Sequence, residues 1–230
     1  MSKTIMAVGA HTGDAQLTCG MLLAKHAMHG DRVVIVDLTA GERGRPEGWT
    51  SSDFRAYNIE CAGKFAQKIG GESIVLDTPD GELYDTREKE LELADLMRSY
   101  KADAVLYHWK NSLHKDHEAA SRITENAIFY ASLPTFERPL PPAPIRSFMC
   151  AENWEDEPEF VPYYYFDMTE SFPIWKEAIC ELWLAEHSKS FAYLRYYEAL
   201  SIVRGARIGA DHATCFGSAP TSHKQCLDLL

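Results

Sequence analysis

Short apolar runs and amphipathic stretches alternate along the chain. Residues 3–9 form an apolar, β-branched run. Residues 17–29 follow with Leu17, Met21, Leu22, Ala24 and Met28 at helical spacing, and Gly30 stands where a helix would end. Residues 32–38 are continuously apolar and β-branched, like a strand buried on both faces of a parallel sheet. A helix capped by Asp53 runs to Ile69 and is closed by Gly70-Gly71. A third strand is predicted at 73–76, a helix at 87–100, a fourth strand at 104–107 and a helix at 117–132. This βαβαβαβα order predicts an α/β fold with a mainly parallel sheet and right-handed crossovers. Five prolines between 133 and 144 (positions 134, 139, 141, 142 and 144) make an extended connector. Beyond it, strands are expected at 145–150 and 163–166, helices at 172–187 and 190–207, and an irregular tail from Gly209. No long flexible linker precedes 133, so 133–230 reads as an extension of one domain spanning 1–230.

The chemistry gathers where two predicted strands end. Met6-Ala-Val-Gly-Ala-His-Thr-Gly-Asp-Ala-Gln16 passes from an apolar run into a turn holding His11 and Asp14. After the fourth strand, His114-Lys-Asp-His117 opens another helix. Open parallel sheets bind ligands outside the carboxyl ends of their strands. A catalytic zinc takes three protein ligands from His, Asp or Glu and keeps one position open. Any three of His11, Asp14, His114 and His117 make such a set and leave the fourth for substrate. The plainer reading of each cluster alone is capping, with Asp14 and Asp116 as helix N-caps; two clusters at equivalent strand ends favour a site. The polar, Gly-rich loop 39–52 is long enough to shape a pocket. It is not a GxGxxG dinucleotide fingerprint, which disfavours an oxidoreductase.

Composition narrows the partners. A net charge of -11 argues against a nucleic-acid groove or an anionic membrane surface. The six cysteines show no CxxC pairing, which suits free thiols in a reducing cytosol. No signal peptide is visible, and no apolar run approaches the ~18 residues of a membrane helix. A cytoplasmic protein is therefore expected. The aromatic-rich stretch 172–207 reads as core or as a subunit contact in a homo-oligomer. His26, His29, His108, His187, His212 and His223 have no partner at ligand spacing.

Four landmarks in order resemble the LmbE-like, or PIG-L, zinc-dependent de-N-acetylases. Ala10-His-Thr-Gly-Asp14 is similar to their Ala-His-Pro-Asp-Asp-Glu motif, and Thr39-Ala-Gly-Glu-Arg-Gly44 to their Thr-Asp-Gly-Glu loop. Asp77-Thr-Pro-Asp-Gly81 resembles their Pro-Asp-Gly turn, and His114-Lys-Asp-His117 their His-Pro-Asp-His motif. The likeness covers roughly residues 3–132; 204–216 match more weakly. It implies a Rossmann-like three-layer sandwich and removal of an N-acetyl group from a small, sugar-like substrate. It makes His11, Asp14 and His117 ligands of Zn2+ or another divalent metal. It makes His114 the cationic group that stabilises the oxyanion and Asp116 the residue that orients and charges it. Arg55 stands where the family has an Arg reaching toward substrate. Glu42, Asp80 and Trp109 are further substrate-binding candidates; Trp109 could stack on a sugar ring or cover the core edge.

One position departs from the family pattern. The family's general base, the Asp before the ligating Asp, is Gly13 here, and its following Glu is Ala15. Three outcomes follow: another carboxylate substitutes (Glu42, Asp80 and Asp116 by loop position), zinc chemistry proceeds unaided, or the chain binds a metal or small ligand without turnover.

Overall fold

The computed structural model describes residues 2–143 and 145–219; Cys226 and His223 lie outside them. The elements are β1 (Thr4–His11), α1 (Asp14–Thr18), α2 (Gly20–Met28), β2 (Arg32–Thr39), α3 (Ser51–Ile69), β3 (Glu72–Thr78), α4 (Arg87–Tyr100), β4 (Ala104–Tyr107) and α5 (Lys115–Ser132). They continue with β5 (Ser147–Ala151), β6 (Tyr164–Asp167), α6 (Phe172–Ile179), α7 (Trp183–His187), α8 (Tyr193–Ala206) and β7 (Ala213–Ser218). A 3₁₀ turn, Glu42–Gly44, interrupts the long loop after β2.

The strands form one seven-stranded sheet in the order β3-β2-β1-β4-β5-β7-β6. The first five are mutually parallel, and β7 runs antiparallel between β5 and β6. The pleat divides β1 between two cores. Ile5 and Ala7 pack with Leu23, Phe65 and Trp175 on one face; Met6 and Val8 pack with Leu93, Met97 and Ile123 on the other. Helices on both faces of a mainly parallel sheet make the α/β sandwich. The chain winds outward from β1 to β3, then returns to β4 on the other side of β1. That reversal opens a crevice at the carboxyl ends of β1 and β4.

Several elements differ from expectation, each for a local reason. The tail from Gly209 contains β7, whose residues Ala-Thr-Cys-Phe-Gly-Ser carry no alternation; pairing with β5 and β6 defines it. The first helix starts earlier, at Asp14, and breaks at Cys19. Gly20 lets the chain pass close to Trp175 and Phe65, where any Cβ would be crowded. The stretch 172–187 is two helices, because Leu182 is buried with extended backbone between them. Thr50, not Asp53, caps α3, and His114, not Asp116, caps α5.

Arg98 fastens the proline-rich connector. It is buried on α4, and its guanidinium donates to the carbonyls of Tyr130, Leu133, Phe136 and Leu140. Arg98→Met keeps the aliphatic volume and strands those acceptors. A loss of about 3 kcal/mol of stability is expected, read as a lower urea midpoint at unchanged slope.

Candidate metal centre and pocket

Asp14 stands at the centre of the crevice. β1 ends at His11, and Gly13, at φ 121°, turns the chain into α1. The Gly13 N–H donates to Gln16 Oε1 at 2.8 Å, and Gln16 Nε2 donates to buried Asp37 at 2.7 Å, so the turn is fixed from below. Asp14 Oδ2 accepts from the His11 N–H at 2.8 Å. It also lies 3.2 Å from His11 Nδ1, 3.4 Å from His117 Nε2 and 3.3 Å from His108 Nε2.

The structure brings His11, Asp14 and His117 together, one ligand atom from each lying within 4.8 Å of the others. Each imidazole is held from its far side. His117 Nδ1 meets Asp156 Oδ1 at 3.0 Å; His11 Nε2 faces Asp80 at 3.2 Å and Asp116 at 3.3 Å. A carboxylate behind a histidine is how metal ligands are oriented and made more basic. Two nitrogens and a carboxylate oxygen, so braced, fit a divalent ion of the zinc type.

The electrostatics agree with that chemistry. Burial alone would lower His117, but Asp14 and Asp156 outweigh it and lift it to about 10. His11 is likewise raised by Asp116, Asp14 and Asp80 against its burial. Burial opposes ionisation of Asp14, yet the three histidines hold it well below the usual carboxylate range. Asp156, fully buried between His108 and His117, is held at about 2.

His114 caps α5, its Nδ1 accepting from the Asp116 N–H at 3.2 Å. That leaves Nε2 to carry the proton. Burial, with His11 and His117 alongside, lowers His114 below the ordinary imidazole value. The Asp116 carboxylate is engaged with the Gly81 N–H at 2.7 Å and with His11, so it braces the His11 ring.

A cavity of about 440 Å³ opens over these groups. Asp14, Asp80, His114, His117 and Glu155 line its polar side; Phe54, Trp183, Leu184 and Tyr193 line the apolar side. It borders the loops after β1, β2, β3 and β4, as the sheet topology requires. Of the sequence candidates, Asp80 lines it. Glu42 is buried beneath, accepting from the Asp80 N–H at 2.9 Å, and Arg55 is paired with Asp77 at 2.8 Å. Neither lines the cavity among the described residues. Trp109 is buried against Phe160 and donates to the Pro158 carbonyl, so it covers the core edge.

Sequence reasoning missed Glu155, Asp156 and His108. His108 has no ligand-spaced neighbour in sequence, and Asn153-Trp-Glu-Asp156 reads as a solvated acidic loop. A turn returning from β5 seats it beneath the centre: the Leu113 N–H donates to the Glu155 carbonyl at 2.9 Å. Leu184 was missed as well. Its side chain occupies the space above Gly13, where any Cβ would collide with it.

Residues 6–128 match the profile of the family described as PIG-L, GlcNAc-PI de-N-acetylase. A diacetylchitobiose deacetylase of Thermococcus kodakarensis is 29% identical over 141 residues, 59% of this chain and 53% of that enzyme; the match spans about half of the relative's length. A 4-oxalmesaconate hydratase of Pseudomonas putida is 24% identical over 215 residues, 89% of this chain and 81% of that one. The N,N'-diacetylchitobiose deacetylase structure from Pyrococcus horikoshii superposes with a TM-score of 0.80 at 19% identity, covering 94% of this chain and 83% of the other. That likeness establishes the fold.

Proposed function

The chain belongs to the PIG-L family, and from that premise we propose that it is a zinc-dependent amide hydrolase removing the N-acetyl group from a small amino-sugar-type substrate. The observation that carries this reading is the convergence of His11, Asp14 and His117 on the floor of the cavity, with His114 beside them. A zinc ion held by those three residues would supply Lewis acidity, polarising an acyl carbonyl and making water more acidic. The chain's own residues do the rest. His114 Nε2–H donates to the oxygen that becomes negative as the carbonyl carbon turns tetrahedral. Asp80, Asp116 and Asp156 keep the two ligating rings in register. Phe54, Trp183 and Tyr193 offer an apolar wall to the face of a sugar ring. We read 133–230 as an extension of the same domain: among the described residues, the acidic turn after β5 and α7 line the pocket together with the turns after β1 and β4.

The charge lining the pocket favours a neutral substrate. Among the described lining residues, Arg43 is the one Lys or Arg, and its guanidinium is paired with Glu82. A substrate with several carboxylates would meet Asp14, Asp80 and Glu155 with little compensation. A second reading, addition of water to an unsaturated carboxylic acid, is supported by the hydratase likeness over most of both chains.

The two readings separate in one experiment. Zinc-loaded protein is offered N-acetylated amino sugars, with acetate measured, and unsaturated mono- and dicarboxylic acids, with loss of ultraviolet absorbance measured. Acetate release is the expected result. Turnover of the acids alone would establish the hydratase reading. Zinc binding with neither reaction would make the chain a metal- or ligand-binding relative.

A further inference from the structure

The cavity holds a candidate set of metal ligands and a hydrogen-bond donor but no carboxylate at position 13. Leu184 fills that space, so none can be accommodated there without displacement. The sequence-level substitutes are engaged elsewhere. Asp80 accepts from the Arg43 N–H and faces His11. Asp116 accepts from the Gly81 N–H and faces His11. Glu42 accepts from the Asp80 N–H beneath the floor.

Glu155 differs from these. It lines the cavity, and among the described residues its carboxylate accepts no hydrogen bond. Its nearest charged partner is His117 Nε2, 3.6 Å from Oε2. Its backbone is nonetheless rigidly placed. The Glu155 N–H donates to Asn153 Oδ1 at 3.1 Å, and its carbonyl accepts from the Leu113 N–H at 2.9 Å and from Ser112 Oγ at 3.2 Å. The turn therefore puts Asp156 behind His117 and Glu155 in front of it.

We propose that Glu155 is the proton acceptor of this enzyme, replacing across the cavity the carboxylate that Gly13 lacks. The inference rests on the hydrolase reading above. One O–H bond of water breaks as its proton moves to Glu155; its oxygen bonds to the acyl carbon while the C=O π pair moves onto the carbonyl oxygen. That pair then returns to re-form C=O as the C–N bond breaks with its electron pair going to nitrogen, which takes the proton from Glu155. The amine and the acid leave, and Glu155 is again a carboxylate.

The test uses the zinc-loaded full chain and its variants Glu155→Gln and Glu155→Ala. Two reactions are followed, acetate release from N-acetylated amino sugars and hydrolysis of the activated ester p-nitrophenyl acetate. Glu155→Gln should lower kcat in both by about 10²- to 10⁴-fold with KM nearly unchanged. Zinc stoichiometry, and the visible spectrum of the cobalt-substituted protein, should match wild type. Added formate should restore about tenfold or more of the loss in Glu155→Ala, which a structural role would not allow. Glu155-dependent hydrolysis of the ester with no acetate released from the N-acetylated amino sugars would leave Glu155 as the acceptor and remove the amino-sugar reading. Activity of Glu155→Gln within about threefold of wild type would overturn the inference. So would lost zinc or an altered cobalt spectrum, or no ester hydrolysis by wild type.

Discussion

Asp14→Asn should weaken metal binding sharply. Among the described residues the carboxylate is the one anion within 3.5 Å of His11 Nδ1, His108 Nε2 and His117 Nε2 together, and the amide replaces a charge with a dipole. A drop in zinc affinity of about 10²-fold or more is expected, with turnover at background. Asp156→Asn is the informative comparison, since it leaves all three proposed ligands and removes the brace behind His117. It should cost about 10- to 100-fold in affinity. Competition with a chromophoric chelator measures both; equal, wild-type affinity in the two variants would rule out the centre. Proton linkage has a definite sign. His117 holds its proton to about pH 10 in the metal-free protein, so zinc must displace it at neutral pH. Affinity should therefore rise with pH by about tenfold per unit or more below that value.

Gly13→Asp should lower activity and stability, even though it restores the family's residue. Gly13 sits at φ 121°, which L-residues rarely adopt, and a Cβ there collides with Leu184. Backbone strain and overpacking each cost about 1–3 kcal/mol, so a combined loss of about 2–6 kcal/mol is expected. The tilted turn would also move Asp14, and turnover should fall by about tenfold or more. Thermal denaturation and acetate release measure the two effects. Gly13→Asp with Leu184→Ala should recover part of the stability, because the second change removes the collision but not the strain. A more active Gly13→Asp protein would mean that the turn relaxes and that position 13 can still hold a base.

The first half of the fold could be read from local pattern because its elements carry their own signals. Arg32–Thr39 is β-branched throughout, and Arg87–Tyr100 and Ala104–Tyr107 lie where the pattern puts them. The second half could not be read as closely. β7 pairs with strands about 50 and 65 residues earlier in the chain, and nothing within Ala213–Ser218 encodes that partnership. The grouping of the three candidate ligands was similarly accessible, since His11 and Asp14 flank the turn after β1 and His117 lies in the first turn of the helix after β4. Whether the carboxylate and imidazoles converge depends on β1 and β4 being neighbours.

What the sequence alone determined was therefore the parallel α/β plan, the place of the site at the strand ends, and the missing carboxylate at Gly13. Tertiary structure decided the rest. It buried Asp156 between His108 and His117, turned Asp116 onto His11 and withdrew Trp109 from the cavity. It also set Leu184 over Gly13 and Glu155 before His117. The physical reason is common to all five. A side chain's partner in a closed pocket is selected by packing between segments distant in sequence, and local periodicity carries information only about the face each segment presents.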